Sequence, residues 1–221
     1  MERHGDDHHY RLVIGNKAWS SWSLRPWLVM KHFALPFEEI GVALRQTDSK
    51  SAILAHSPAG KVPVLSAGGL LVWDSLAIID TLADRHPGLP IWPRDPDARA
   101  VARAVACEMH SGFQALREQC PMDILTEKPA LQLNETAELN VRRIIASWRD
   151  CRQRFGQRGP YLFSEFTAAD AMYAPVASRL KTYVPNLEPY GDDGTARDYV
   201  ATIFAMPEIR EWMAGAAAES N

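Results

Sequence analysis

Thiols are scarce in this chain and poorly spaced for bridges. Three cysteines, Cys107, Cys120 and Cys151, stand among 221 residues, and no two form a Cys-x-x-Cys pair. An odd count without paired spacing excludes a disulfide framework and reads as three reduced thiols of a cytoplasmic protein. Long hydrophobic runs are missing too. No apolar stretch approaches the roughly 18 residues that a membrane span needs. The opening Met-Glu-Arg-His-Gly-Asp-Asp-His-His lacks the apolar centre of a secretion signal. Nor is there an excess of one charge: 24 Lys and Arg against 27 Asp and Glu leave a net charge of −3. That is too weak, and of the wrong sign, to draw phosphate backbones, so neither nucleic acid nor membrane is expected as a partner. No metal site is expected either; His8 and His9 read as part of a terminal tail.

What is present is ordinary globular material, 47% hydrophobic and 23% charged, ample for a core. Short apolar runs alternate with helical patterns up to about residue 90. Tyr10–Ile14, Phe37–Val42, Pro63–Leu65 and Leu70–Trp73 read as strands, the last two joined by an Ala67-Gly68-Gly69 turn that wants positive φ. Leu24–Phe33, Ser49–His56 and Ser75–His86 read as helices; Leu76, Ile79, Leu82 and Ala83 form the apolar stripe of the third. The order β-α-β-α-β-β-α predicts a small α/β domain over residues 1–88. A proline-rich connector around 89–94 follows. From 95 to 221 no strand pattern appears, and an all-α domain is expected. Its helices are predicted at Asp97–Gln119, at Glu135–Phe155 with Gly156 as stop, and at about Thr195–Ala205 and Pro207–Ala216. One more opens at Thr167-Ala168-Ala169-Asp170, where the spacing of hydroxyl and carboxylate predicts a capping box with a structural role for Asp170.

Three segments offer chemistry. In Trp19-Ser20-Ser21-Trp22-Ser23-Leu24-Arg25-Pro26, the proline belongs in a first helical turn, so the helix is expected to start near Ser23. Ser20 and Ser21 then precede a helix N-terminus that favours anions. In a thioredoxin-like βαβ unit a redox Cys-x-x-Cys would sit here; Ser-Ser-Trp-Ser excludes dithiol chemistry. Whether the serines do chemistry or merely cap the helix stays open at this point. In Ser57-Pro58-Ala59-Gly60-Lys61-Val62-Pro63, a proline that begins a strand is either turned from the ladder or cis. If it is cis, Val62 can offer its backbone to an extended peptide, with Lys61 beside it for a carboxylate. In Trp73-Asp74-Ser75-Leu76, Asp74 or Ser75 caps the next helix. The pair can also hold an amino acid zwitterion, with Ser75 on the carboxylate and Asp74 on the ammonium.

Taken in order, Ser-Ser-x-Ser, Val62-Pro63, Asp74-Ser75-Leu76-Ala77-Ile78-Ile79 and Thr167-Ala168-Ala169-Asp170 resemble the glutathione S-transferase superfamily over nearly the whole chain. The serine stretch looks most like the zeta class, which carries Ser-Ser-Cys where this chain has Ser-Ser-Trp; that departure puts the class's maleylacetoacetate isomerase activity in question. The resemblance implies a thioredoxin-like N-terminal domain, a helical C-terminal domain and glutathione as co-substrate. It implies Ser20 as the catalytic serine, with Ser21 its neighbour and substitute. Val62-Pro63 would meet the cysteinyl unit, Asp74 and Ser75 the γ-glutamyl end, and Lys61 the glycyl carboxylate. Trp19, Trp22, Met109, His110, Phe113 and Met122 are expected to line an apolar pocket for a small electrophilic substrate. A homodimer is expected from the resemblance alone.

The implied mechanism follows from charge. A free thiol with pKa near 8.5 is mostly protonated at neutral pH, and only its thiolate is a good nucleophile. One hydroxyl donating to the thiolate is worth roughly 1.5–3 kcal/mol, about one to two pKa units. That suffices for conjugation, and the same thiolate would serve an isomerase or a peroxidase. A non-catalytic binding module would need no combination of Ser20, Asp74 and Ser75.

Overall fold

The computed structural model describes residues 9–219; His8 lies outside them, and His9 is exposed, 3.5 Å from Glu38. Four strands, β1 (Tyr10–Gly15), β2 (Phe37–Val42), β3 (Val64–Ala67) and β4 (Leu70–Val72), form one sheet in the order β2-β1-β3-β4. β1 and β2 run parallel, joined through α1 (Ser21–His32), while β3 and β4 form the antiparallel hairpin. Gly68 and Gly69 turn that hairpin at φ 60° and 86°, a region open to glycine and costly for other residues. α2 (Ser49–Leu54) and α3 (Ser75–Arg85) complete the thioredoxin-like domain. β1 is buried at every position but Arg11, as a central strand covered on both faces must be.

The helical domain comprises α4 (Pro96–Ser111), α5 (Gln114–Gln119), α6 (Glu135–Phe155), α7 (Ala168–Tyr183), α8 (Thr195–Ala205) and α9 (Pro207–Glu219), with a 3₁₀ turn at Glu188–Tyr190. α7 is buried almost all round and packs against α1, α4 and α8, so it joins the two domains. α9 returns to α1, where Trp212 meets Trp27 edge-on at 4.9 Å and donates to the Lys17 carbonyl.

Two expectations need correction. The single helix expected over Asp97–Gln119 is two, because Gly112 is extended and Phe113 left-handed (φ 60°). A Cβ on Gly112 would lie 2.7 Å from the Glu108 carbonyl. Arg117 donates to the carbonyls of Met109, His110 and Gly112, taking up acceptors that the end of α4 leaves without intrahelical partners. α1 begins at Ser21, not near Ser23, which makes Ser20 the N-cap and Ser21 the first helical residue. Smaller differences of one to three residues fall at other element ends, as frayed ends allow.

Candidate functional site

The site is built at the start of α1. β1 ends at Gly15, where a Cβ would lie 2.5 Å from Leu44 Cδ1, and the chain turns over Asn16–Ser20 with the Ser20 amide on the Asn16 carbonyl. Ser20 holds the N-cap position, yet its side chain makes no capping bond. Its Oγ lies 2.7 Å from Ser23 Oγ, which in turn accepts the Gly15 N–H at 3.1 Å. Ser21 accepts from Arg179 at 3.5 Å. All three serines are buried, and none serves the helix end. The Trp22 and Ser23 amides have no acceptor among the described residues. A helix N-terminus left in this state favours an anion.

Three guanidiniums surround that end. Arg25, fully buried, reaches Ser75 Oγ at 3.3 Å and Met109 Sδ at 3.5 Å, and it lies over the Trp22 ring at 4.1 Å. Arg117 stands 5.3 Å from the same ring and also touches Met109 Sδ. Arg179, nearly buried on α7, bonds Ser21 and the Pro175 carbonyl. None of the three has a carboxylate within ion-pair distance among the described residues. The Nε atoms of Arg25 and Arg179 are buried without a partner. Burial first, then mutual repulsion, depresses these cations: Arg25 lies well below its ordinary value and Arg179 falls to about 10. Unpaired buried charges are costly, and an incoming anion relieves that cost.

Across the site, Asp74 caps α3 by accepting the Leu76 N–H at 3.2 Å. Its other oxygen lies 3.0 Å from His110 Nε2 on α4. Burial holds the His110 imidazole below its ordinary value, with Asp74 pulling the other way and Arg25 and Arg117 adding to the depression. The neutral ring donates to Asp74, meets Trp22 edge-on at 5.1 Å, and keeps Nδ1 buried without a partner. Ser75 is fully buried beneath Arg25. A cleft of about 360 Å³ opens beside these groups, lined by Asp74, Leu76, Trp92, Arg103, Cys107 and His110. A larger cavity, about 650 Å³, is lined by none of the site residues and lies at the end of α6. The Val62–Pro63 and Trp73–Asp74 bonds are cis, which selects the second of the two alternatives that the sequence left for Pro63. β1–β3 pairing ends at Val13–Val64, short of Val62, and Lys61 is exposed.

Trp22, Asp74, Ser75, Met109 and His110 are linked by these contacts, through Arg25 and Arg117, into one cluster; Ser20 and Ser21 adjoin it along the chain and bond Ser23 and Arg179 instead. Trp19 is not among them; it is exposed with Arg45 at 4.7 Å. Met109, Phe113 and Met122 are buried in the main core. Sequence reasoning passed over Ser23, Arg25, Arg117 and Arg179. Two of these carried a signal. Arg25 stands inside Leu24–Met30 and Arg179 inside Ala171–Leu180, each a lone cation in a buried helical run. Among the described residues no cluster of three or more His, Cys, Asp or Glu could hold a metal, and no helix is long and apolar enough to cross a membrane.

The chain matches the family model for the glutathione S-transferase N-terminal domain over residues 19–85 and that for the C-terminal domain over 132–215. It is 36% identical over 193 residues to a probable maleylacetoacetate isomerase of Caenorhabditis elegans, covering 85% of this chain and 88% of that one. Its fold is shared with a glutathione transferase homolog from Burkholderia solved with bound glutathione, at TM-score 0.70, 20% identity and coverage of 95% and 98%. It is likewise shared with maleylacetoacetate isomerase from Anaeromyxobacter dehalogenans, at TM-score 0.65, 24% identity and coverage of 94% and 91%. With both domain models matched in order and a relative this similar along most of its length, the chain belongs to the glutathione S-transferase family.

Proposed function

We propose that the protein binds glutathione as its thiolate at the start of α1 and uses it to isomerise a small unsaturated diacid from cis to trans. The observation that carries this reading is the set of three guanidiniums without carboxylate partners among the described residues, Arg25 and Arg179 buried and Arg117 half-buried, around the uncapped helix end. Glutathione brings one γ-glutamyl carboxylate toward Ser75 and Arg25. The remaining cations call for a second anion, and a dianionic substrate supplies it. The compound for which the isomerase relatives are named is of that class.

In this scheme Ser20 donates to the sulfur, and the open amides of α1 add their partial positive charge. Asp74 takes the γ-glutamyl ammonium, the Val62 backbone pairs with the cysteinyl unit, and Lys61 meets the glycyl carboxylate. The thiolate adds to one alkene carbon conjugated to a carbonyl, and the π electrons move to the carbonyl oxygen as an enolate. The former double bond is now single and rotates. The enolate then collapses, re-forms the double bond in the trans geometry and expels the thiolate. No atom is gained or lost, and guanidiniums fixed before the reaction stabilise the enolate charge. Trp22 and His110 border the reacting carbons.

The same thiolate attacking a small apolar electrophile is the second reading, favoured by Leu76, Ala77 and Trp92 in the lining of the cleft beside Asp74 and His110. The proposal extends to a cytoplasmic homodimer, supported by the exposed Leu70, Leu71 and Trp73 on and beside the edge strand β4. Assays with glutathione on maleylacetoacetate, a chlorinated aromatic and cumene hydroperoxide test the reading. Isomerisation is expected to exceed the other two activities at equal substrate. Turnover of the aromatic alone would overturn it.

A further inference from the structure

We infer that Ser23 is a positioning residue that turns the Ser20 hydroxyl toward the glutathione sulfur, through a relay that starts at the backbone of β1. The inference rests on the reading that Ser20 donates to the thiolate. Gly15 is the last residue of β1, two positions beyond the end of the β1–β3 pairing. Its N–H is given to Ser23 Oγ at 3.1 Å. Ser23 is fully buried, and its Oγ lies 2.7 Å from Ser20 Oγ, so no water competes for either contact.

Two hydroxyls at this separation share one hydrogen, and it can come from either side. With the sulfur site vacant, Ser20 can give its hydrogen to Ser23. A thiolate beside Ser20 demands that hydrogen. Ser20 Oγ is then an acceptor, and among the described residues the hydroxyl in place to fill it is that of Ser23. Both rotors turn and no bond is lost. The result is a one-way chain, Gly15 N–H to Ser23, Ser23 to Ser20, Ser20 to sulfur. Each donor in such a chain is polarised by the one behind it, which strengthens the last bond by about 10–30%. The arrangement also accounts for an N-cap serine that does not cap: its oxygen is held by a side chain three residues on, away from the helix amides.

Ser23→Ala removes the relay and leaves the Gly15 amide without its acceptor, so Ser23→Thr, which keeps the hydroxyl, is the companion variant. The experiment titrates the thiolate absorbance of glutathione bound to the full-length protein, for wild type, Ser20→Ala, Ser23→Ala, Ser23→Thr and the double alanine variant. Ser23→Ala is expected to raise the thiol midpoint and to slow turnover below it roughly two- to fivefold, with the rate recovering at high pH and glutathione affinity retained. Ser23→Thr should restore the midpoint. In the Ser20→Ala background, Ser23→Ala should add nothing. A midpoint that moves in Ser20→Ala but not in Ser23→Ala overturns the relay and leaves the thiolate reading standing. A midpoint unmoved by Ser20→Ala overturns both. If Ser23→Ala does not fold, a midpoint in Ser23→Thr displaced as far as that of Ser20→Ala also overturns the relay.

Discussion

Two helix starts in this molecule carry similar letters and end in opposite states. At α7, Thr167 is the N-cap and Asp170 stands three residues on; at α1, Ser20 is the N-cap and Ser23 stands three residues on. Asp170 reaches back to the Thr167 amide at 2.8 Å and also accepts from the Leu162 amide and the Tyr199 hydroxyl. The Ala168 amide is taken by the Ile91 carbonyl. That end is closed and fully buried. A serine at the third helical position is too short to reach back in this way, so the two hydroxyls at α1 bond each other and the Trp22 and Ser23 amides stay open. At α7 the protein supplies its own anion to the helix end, whereas at α1 it surrounds the end with Arg25, Arg117 and Arg179 and leaves the anion to a ligand. One start is closed on itself and the other is where the function proposed above puts the glutathione thiolate, and the difference rests on one carboxylate.

The largest expected effect is on the closed end. Asp170→Ala leaves two amides and two hydroxyls without their acceptor and should cost about 3–5 kcal/mol, lowering Tm by about 6–20 °C. Glutathione affinity of the remaining folded protein should be unchanged; lost affinity at normal Tm would erase the distinction between the two ends. The carboxylate carries a pH signature. Burial raises Asp170 from 3.8 to about 6, against the pull of its hydrogen bonds. The folded state therefore holds this proton more tightly than the unfolded chain. The contribution to stability is complete below the unfolded value and is lost as pH rises to about 6. The stability difference between wild type and Asp170→Asn should shift against wild type between about pH 4 and 6 and stay flat above.

At the open end, Arg179→Met should lower kcat/KM for a diacid about 10- to 150-fold, the loss of a charged hydrogen bond of 1.5–3 kcal/mol. Tm should hold or rise, since an unpaired buried charge has been replaced by a hydrophobe. A fall in Tm with activity intact would mean that the arginine is structural. Ser20→Ala should slow turnover at neutral pH roughly 10- to 100-fold, about 1.4–2.7 kcal/mol, with little change in glutathione binding. If Ser21→Ala moves the bound thiol and Ser20→Ala does not, the two serines exchange roles. The smallest effect is on the protein's own thiols. Burial raises Cys120 to about 11 and Cys151 to about 12, while Cys107 is exposed. A disulfide reagent should modify Cys107 alone in the native protein, and fast reaction of a second thiol would contradict the packing around α6.

Periodicity placed nearly every element because burial of one face is a local property, written every 3.6 or two residues. α6 at Glu135–Phe155 and β2 at Phe37–Val42 needed nothing else. The α4–α5 break did not show, since Phe113 in a left-handed conformation depends on Arg117 holding the carbonyls behind it.

The candidate site divides along the same line. The sequence by itself determined the α7 capping box, a cap at Asp74 or Ser75 and the absence of a dithiol at α1, because each is a matter of side chains within a few residues of one another. Only the tertiary structure decided that Ser20 does not cap, and that cations from α1, α5 and α7 meet around one indole ring and one helix end. Arg25, Arg117 and Arg179 are separated by tens of residues, and no local pattern encodes their meeting. Their mutual repulsion is tolerated because hydrophobic packing of α1 against α7 holds them there, and the field they create belongs to the packed fold.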